Sequence, residues 1–155
     1  MLSAQFGPAG VGVETVLDNW EKVDSTNAKL LLARFDFLFT KAQSVKVVMK
    51  DSKKYLGMEP ILTFKDSLQR NVYCYQETFY DDELYGKAIQ SIDKAIAVHP
   101  DKLDFRFVKA NALIAYEKES PDMAMNYLKS LIAEASRRSA DWIYGEDKVG
   151  KDFVE

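Results

Sequence analysis

One cysteine and one histidine in 155 residues exclude several chemistries at once. Cys74 alone cannot form an internal disulfide, and a thiol flanked by Tyr73 and Tyr75 reads as a small buried apolar group rather than a nucleophile. His99 has no second histidine with which to hold a metal and no partners for a Ser/His/Asp relay. Directly before Pro100, it reads as a turn residue. A basic excess is lacking too: 21 Lys+Arg stand against 24 Asp+Glu, a net charge of −3. Such a balance offers no surface for tracking phosphates, so nucleic acid is not an expected partner. A composition of 47% hydrophobic and 29% charged residues asks for one well-buried domain over residues 1–155, with no membrane insertion.

The opening MLSAQFGPAGVG has neither the basic start nor the apolar run of a secretory leader. Its Gly7, Gly10 and Gly12 lack the preceding strand and the following Lys-Ser/Thr of a phosphate loop. Residues 1–12 therefore read as a flexible lead-in. The cytoplasm is the default compartment, and export follows only if a leader has been removed.

What the chain does have is helical periodicity, interrupted once. Val13, Val16, Leu17 and Trp20 mark a short first helix, with turn and capping residues Asp24 and Ser25 behind it. Residues 27–43 carry Leu30, Leu31, Ala33, Phe37, Leu38 and Ala42, an apolar surface wide enough to be buried on two sides. Between 44 and 79 the pattern changes. Residues 44–59 are mixed and lysine-rich, whereas ILTFKD and NVYCYQE, separated by SLQR, read as a β-hairpin around residues 60–77.

From residue 81 the helical period returns. Asp81 or Thr78 is placed to cap a helix that Pro100 ends, and Asp101 with Asp104 looks like the start of the next. Ser120 and Pro121 then open a third helix, running to about Arg137. Trp142, Ile143 and Tyr144 look like the beginning of one more. Left in water they would form an apolar patch, so Trp142 and Tyr144 are expected to pack back onto the helix that starts at Pro121.

Ala88, Ile92, Ala95 and Pro100 follow an A-x3-apolar-x2-A-x4-P spacing, with Tyr85 three residues ahead. This stretch resembles the second helix of a tetratricopeptide repeat. Ala110 and Leu113 fall at the matching positions of the next helix, and Ala124 with Leu128 repeats the Ala-x3-large pair 36 residues after Ala88, against a family period of about 34. Residues 80–137 match best, and Val13, Leu17, Ser25 and Ala33 extend the likeness upstream. Residues 72–79, where the family places the helix before Tyr85, read as strand.

The resemblance implies a mainly α fold of stacked antiparallel helical hairpins, carrying an insertion over residues 44–79. It also implies a protein or peptide partner held in a helical groove. Phe107, Asn111 and Ile114 would face that groove, with Arg106 and Lys109 at its margin and Arg34 as the upstream counterpart. Core packing is the competing reading for Phe107 and Ile114. Of the lysines and asparagines used by carboxylate-clamping members, only Asn111 has a counterpart here. The second functional reading is an accessory or sensor domain that pairs through the hairpin, as a homodimer or with another chain. Asp81, Asp82 and Glu83 form a dense acidic run open to a divalent cation, but helix-dipole complementarity explains it more simply. No catalytic arrangement, metal site or cofactor is expected.

Overall fold

The structure, a computed structural model, describes residues 11–138, 142–145 and 147–149. Most of the expected lead-in lies outside these residues. Five helices and a small three-stranded antiparallel sheet make up the body of the chain.

Helix α1, Val11–Val23, already begins inside the expected lead-in. Asp24 then closes a tight turn by accepting from the Thr26 amide at 3.1 Å, and Asn27 caps α2, Ala28–Ala42, by accepting from the Lys29 and Leu30 amides. The two helices run antiparallel. Arg34 of α2 pairs with Asp18 and Glu21 of α1, and Lys41, farther along α2, pairs with Glu14, nearer the start of α1.

Helix α2 passes directly into strand β1, Gln43–Lys50, where the mixed, lysine-rich sequence carries no strand expectation. Strand β2, Leu62–Lys65, and strand β3, Asn71–Tyr80, form the expected hairpin. Its tip is held by the Asp66 carboxylate, which accepts from the Leu68 and Arg70 amides and pairs with the Arg70 guanidinium. The sheet order is β1-β3-β2, so the missed strand pairs along most of β3, from Gln43 opposite Tyr80 to Lys50 opposite Tyr73.

Strand β3 returns the chain to its point of departure: the Asp81 amide donates to the Ala42 carbonyl at 2.8 Å. Asp81 also caps α3, Asp82–Val98, by accepting from the Leu84 amide. Helix α3 therefore starts where α2 ends and runs back along it, with Tyr85 near Phe39 and Ser91 donating to the Leu31 carbonyl at 3.1 Å. Helix α4, Leu103–Glu117, packs on the other side of α3, antiparallel again. The Tyr85 hydroxyl reaches the Ala112 carbonyl, while His99 lies against Phe105.

Two caps differ from expectation. Asp101 does not cap α4 but pairs with Arg138, and Lys102 occupies the cap position without capping the helix, its ammonium donating to the Gly145 carbonyl instead. For α5, Asp122–Arg137, the Glu117 carboxylate at the end of α4 receives the Met123 and Ala124 amides. A carboxylate at a helix N-terminus satisfies donors that have no partner within the helix. Ser120 instead donates to Asp122.

The described residues of the tail are not helical. Strands β4, Trp142–Tyr144, and β5, Asp147–Val149, make a two-stranded hairpin whose Ile143 amide donates to the Asp101 carbonyl. Trp142 is buried with Leu131 and Ala135 of α5, as expected, and also with Leu103 of α4. Tyr144 departs from expectation: it stays exposed and meets Phe107 of α4 edge-on, at 6.0 Å between ring centres.

The main core lies on both sides of α3. Ala88, Ile92 and Ala95 are fully enclosed by Leu31 and Phe35 of α2 and by Phe105 and Ala112 of α4. Small side chains let the backbones approach closely enough for the Ser91 to Leu31 bond. Enlarging Ala88 or Ala95 to Leu is expected to overpack this contact and cost about 1–3 kcal/mol, read as a lower urea midpoint. An unchanged midpoint for both variants would place these alanines outside the tight contact.

Candidate functional site: a groove between helix α4 and strand β3

Side-chain alternation along β3 sends Tyr75 and Glu77 to the face covered by the segment after β1. Tyr75 is fully buried and its hydroxyl donates to the Ser52 carbonyl at 2.6 Å. Glu77 is buried as a charge with two partners: it accepts from the Tyr55 hydroxyl at 2.8 Å and from Lys118, just past the end of α4, at 2.7 Å. The Lys118 ammonium also lies over the Phe79 ring, 4.3 Å from its centre. The Lys118 hydrogen bond dominates in holding the Glu77 carboxyl below its ordinary range, with Tyr55 adding to it. The same bond to Glu77 pushes the Tyr55 phenol up.

Beside this network opens a recess of about 250 Å³, walled by Leu56 and Met58, by Gln76, Thr78 and Tyr80 of β3, and by Ala115 and Lys118 at the α4 end. A strip of α4 leads into it. Phe107, Asn111, Ile114, Ala115 and Lys118 recur at helical spacing on the exposed side of α4, opposite the buried Phe105, Ala112 and Leu113. Phe107 is 37% exposed and Ile114 48% exposed, so both stand on the surface rather than in the core. Asn111 makes no hydrogen bond to the described residues.

Behind the groove, aromatic rings join the sheet to the helices. Tyr80 meets Phe39, Tyr85 and Tyr116 at centre distances of 5.5, 5.9 and 5.9 Å, and Tyr85 stacks on Tyr116 at 4.1 Å. Burial foremost raises the Tyr85 phenol to about 12. Tyr116 anchors the cluster by donating to Asp82 at 2.7 Å.

The six candidate residues therefore separate into two groups. Phe107, Asn111 and Ile114 share one exposed strip. The three cations are engaged elsewhere. Arg34 bonds Asp18 and Glu21 beside a different recess, lined also by Lys87 and Lys94. Arg106 is buried, bonds both oxygens of Glu134 at 2.8 and 2.9 Å, and lies over the Trp142 ring. Lys109 pairs with Asp93 at 2.6 Å and lies over Tyr127. These cations hold α1 to α2, α4 to α5 and α4 to α3, and the groove margin is formed by β3 instead.

The acidic run is likewise accounted for by local bonds, since Asp81 caps α3, Asp82 accepts from Tyr116 and Glu83 pairs with Lys87. Among the described residues no group of three or more His, Cys, Asp or Glu is placed to hold a metal. Nor is any described helix long and apolar enough to cross a membrane. The network beside the groove, absent from the sequence expectation, joins Tyr55, Glu77 and Lys118, separated by 22 and 41 residues from one another along the chain. No local spacing connects them. Compared with protein-family models, curated proteins and solved structures, the chain matches none.

A carboxyl with a depressed folded-state pKa contributes stability above its unfolded value and loses it as pH falls. The stability gap between the wild type and Glu77→Gln is therefore expected to be present at neutral pH and to close as pH falls below about 4. Urea midpoints of both proteins at several pH values test this, and a gap that does not change with pH would remove the charge from the account.

Proposed function

We propose that this chain is a protein-interaction module that binds a segment of another protein along α4 and into the recess between α4 and β3. The observation that carries the reading is the exposed strip of Phe107, Asn111 and Ile114 running toward that recess. Large apolar side chains around an uncommitted amide suit a partner that supplies apolar anchors and a few hydrogen bonds.

The resemblance to tetratricopeptide repeats supports the same function. In such a repeat two antiparallel helices pack through small residues, and the first helix of each pair lines the binding groove. The reading is supported by α2, which runs antiparallel to α3 and packs in one core with Ala88 and Ala95, as the first helix of such a pair would. On this reading α2 with α3 and α4 with α5 are successive repeats, and the sheet is an insertion within the turn of the first. Helix α4 is then the groove-lining helix of the second.

Peptide-display selection against the folded chain tests the proposal. Enriched peptides are expected to lose at least tenfold in affinity against Ile114→Asp and Asn111→Ala, while the thermal midpoints of these surface variants stay close to wild type. Failure to enrich any peptide, or binding indifferent to both substitutions, would overturn the assignment.

A further inference from the structure

The inserted sheet has its polarity reversed. An antiparallel sheet with one solvated face ordinarily buries its apolar side and exposes its polar side. Here the covered face contains Glu77, held by Tyr55 and Lys118, and Lys50 over the Tyr55 ring, with the exposed Lys46 over Phe79 at its margin. The opposite face is apolar. The strand register places Val45, Val47 and Met49 of β1 on the same side as Leu62 and Phe64 of β2, flanking Cys74 of β3. These five flanking residues are 61, 60, 66, 59 and 41% exposed, whereas Cys74 is covered. The remaining β3 positions on this face are Val72, the uncharged Gln76 and Thr78, and Tyr80 at the end that meets the helices.

We infer that this outward face is a self-association surface on which the sheet of a second copy of the chain packs face to face. Three observations select a second copy. The first is chemical: charge borders the face only at its hairpin end, where Asp51, Asp66 and Arg70 share a recess with Met49 and Val72, so the complement of the rest is another uncharged apolar surface, and a two-fold contact of the patch with itself supplies one. The second is its extent. Eight paired residues of β1 and β3 at about 3.3 Å each span roughly 26 Å, and β2 widens the face to roughly 15 Å over its four residues. With side chains standing well clear of the backbone, such a face approaches the roughly 800 Å² per partner of a standard stable interface.

The third is the placement of charge. Lys46 and Lys50 point to the covered side, so two copies stacked at the usual sheet spacing of about 10 Å do not bring these cations together. The same lysines lie along the free edge of β1 and oppose edge-to-edge extension, which favours contact through the face. The β1 and β2 residues of this surface lie outside the α4 groove, which the face meets at Gln76 and Thr78 of β3.

Sedimentation equilibrium of the whole chain over a hundredfold range of concentration tests the inference. The expected result is a reversible dimer, with Val47→Lys and Phe64→Glu each weakening association at least tenfold. Both substitutions are at exposed positions, so circular dichroism and the thermal midpoint should match those of the monomeric wild type, while Ile114→Asp leaves the dimer intact. Hydrogen exchange supplies an independent readout: the amides of β1 and β2 should gain protection as concentration rises. A single-chain mass at every concentration would overturn the proposal, as would a dimer unaffected by both face variants. Binding of lipid vesicles by a chain that stays monomeric in solution would assign the face to a membrane surface and overturn it equally.

Discussion

The close approach of α3 to two neighbours is the constraint on which the remaining architecture depends. Ala88 and Ala95 have no exposed surface, and one turn of the same stripe carries Ser91, whose hydroxyl reaches across to the Leu31 carbonyl. A hydroxyl can bond a neighbouring helix's backbone only where no bulky side chain separates the two. Once α3 is seated against α2 and α4, Phe35, Phe105 and Ile92 are enclosed, and the positions of α1 and α5 follow from pairing with α2 and α4.

The sheet is joined to this helical body by both covalent and packing constraints. Its two ends meet at the Asp81 to Ala42 hydrogen bond, so the excursion from α2 to α3 closes on itself. Tyr80 then inserts among Phe39, Tyr85 and Tyr116, and Lys118 reaches Glu77 from the end of α4. Burying a paired charge is costly to disrupt because the surviving partner cannot return to water without moving its surroundings. The Glu77–Lys118 pair therefore fixes the angle between sheet and helix from which the groove is formed. It leaves the other face of the sheet uncovered by the chain's described residues.

Charge placement serves cohesion between the helices. Arg34, Arg106 and Lys109 each bridge a pair of helices, with Arg106 and Arg138 together enclosing the Trp142 ring at 5.1 and 4.2 Å. Cations so engaged retain little freedom for a ligand. The α4 strip and the outward face of the sheet are by contrast apolar or amide-bearing.

Helical periodicity, the small residues at Ala88 and Ala95, and the turn chemistry at Asp81 and Pro100 were legible in the sequence because each acts over one or two turns of backbone. The β2–β3 hairpin was legible for the same reason. Strand β1 also carried a local signal, since Val45, Val47 and Met49 alternate with Ser44, Lys46 and Val48, but its lysines obscured that period. The helical expectation for Trp142 failed because pairing with β5 and the bond from Ile143 to Asp101 outweigh the propensity of a three-residue stretch. Which cations face a groove, which carboxylate accepts Lys118 and which side of the sheet stays bare were decided by tertiary structure alone. Those outcomes depend on groups brought together from distant parts of the chain, whereas a sequence pattern records only which face of its own element a residue occupies.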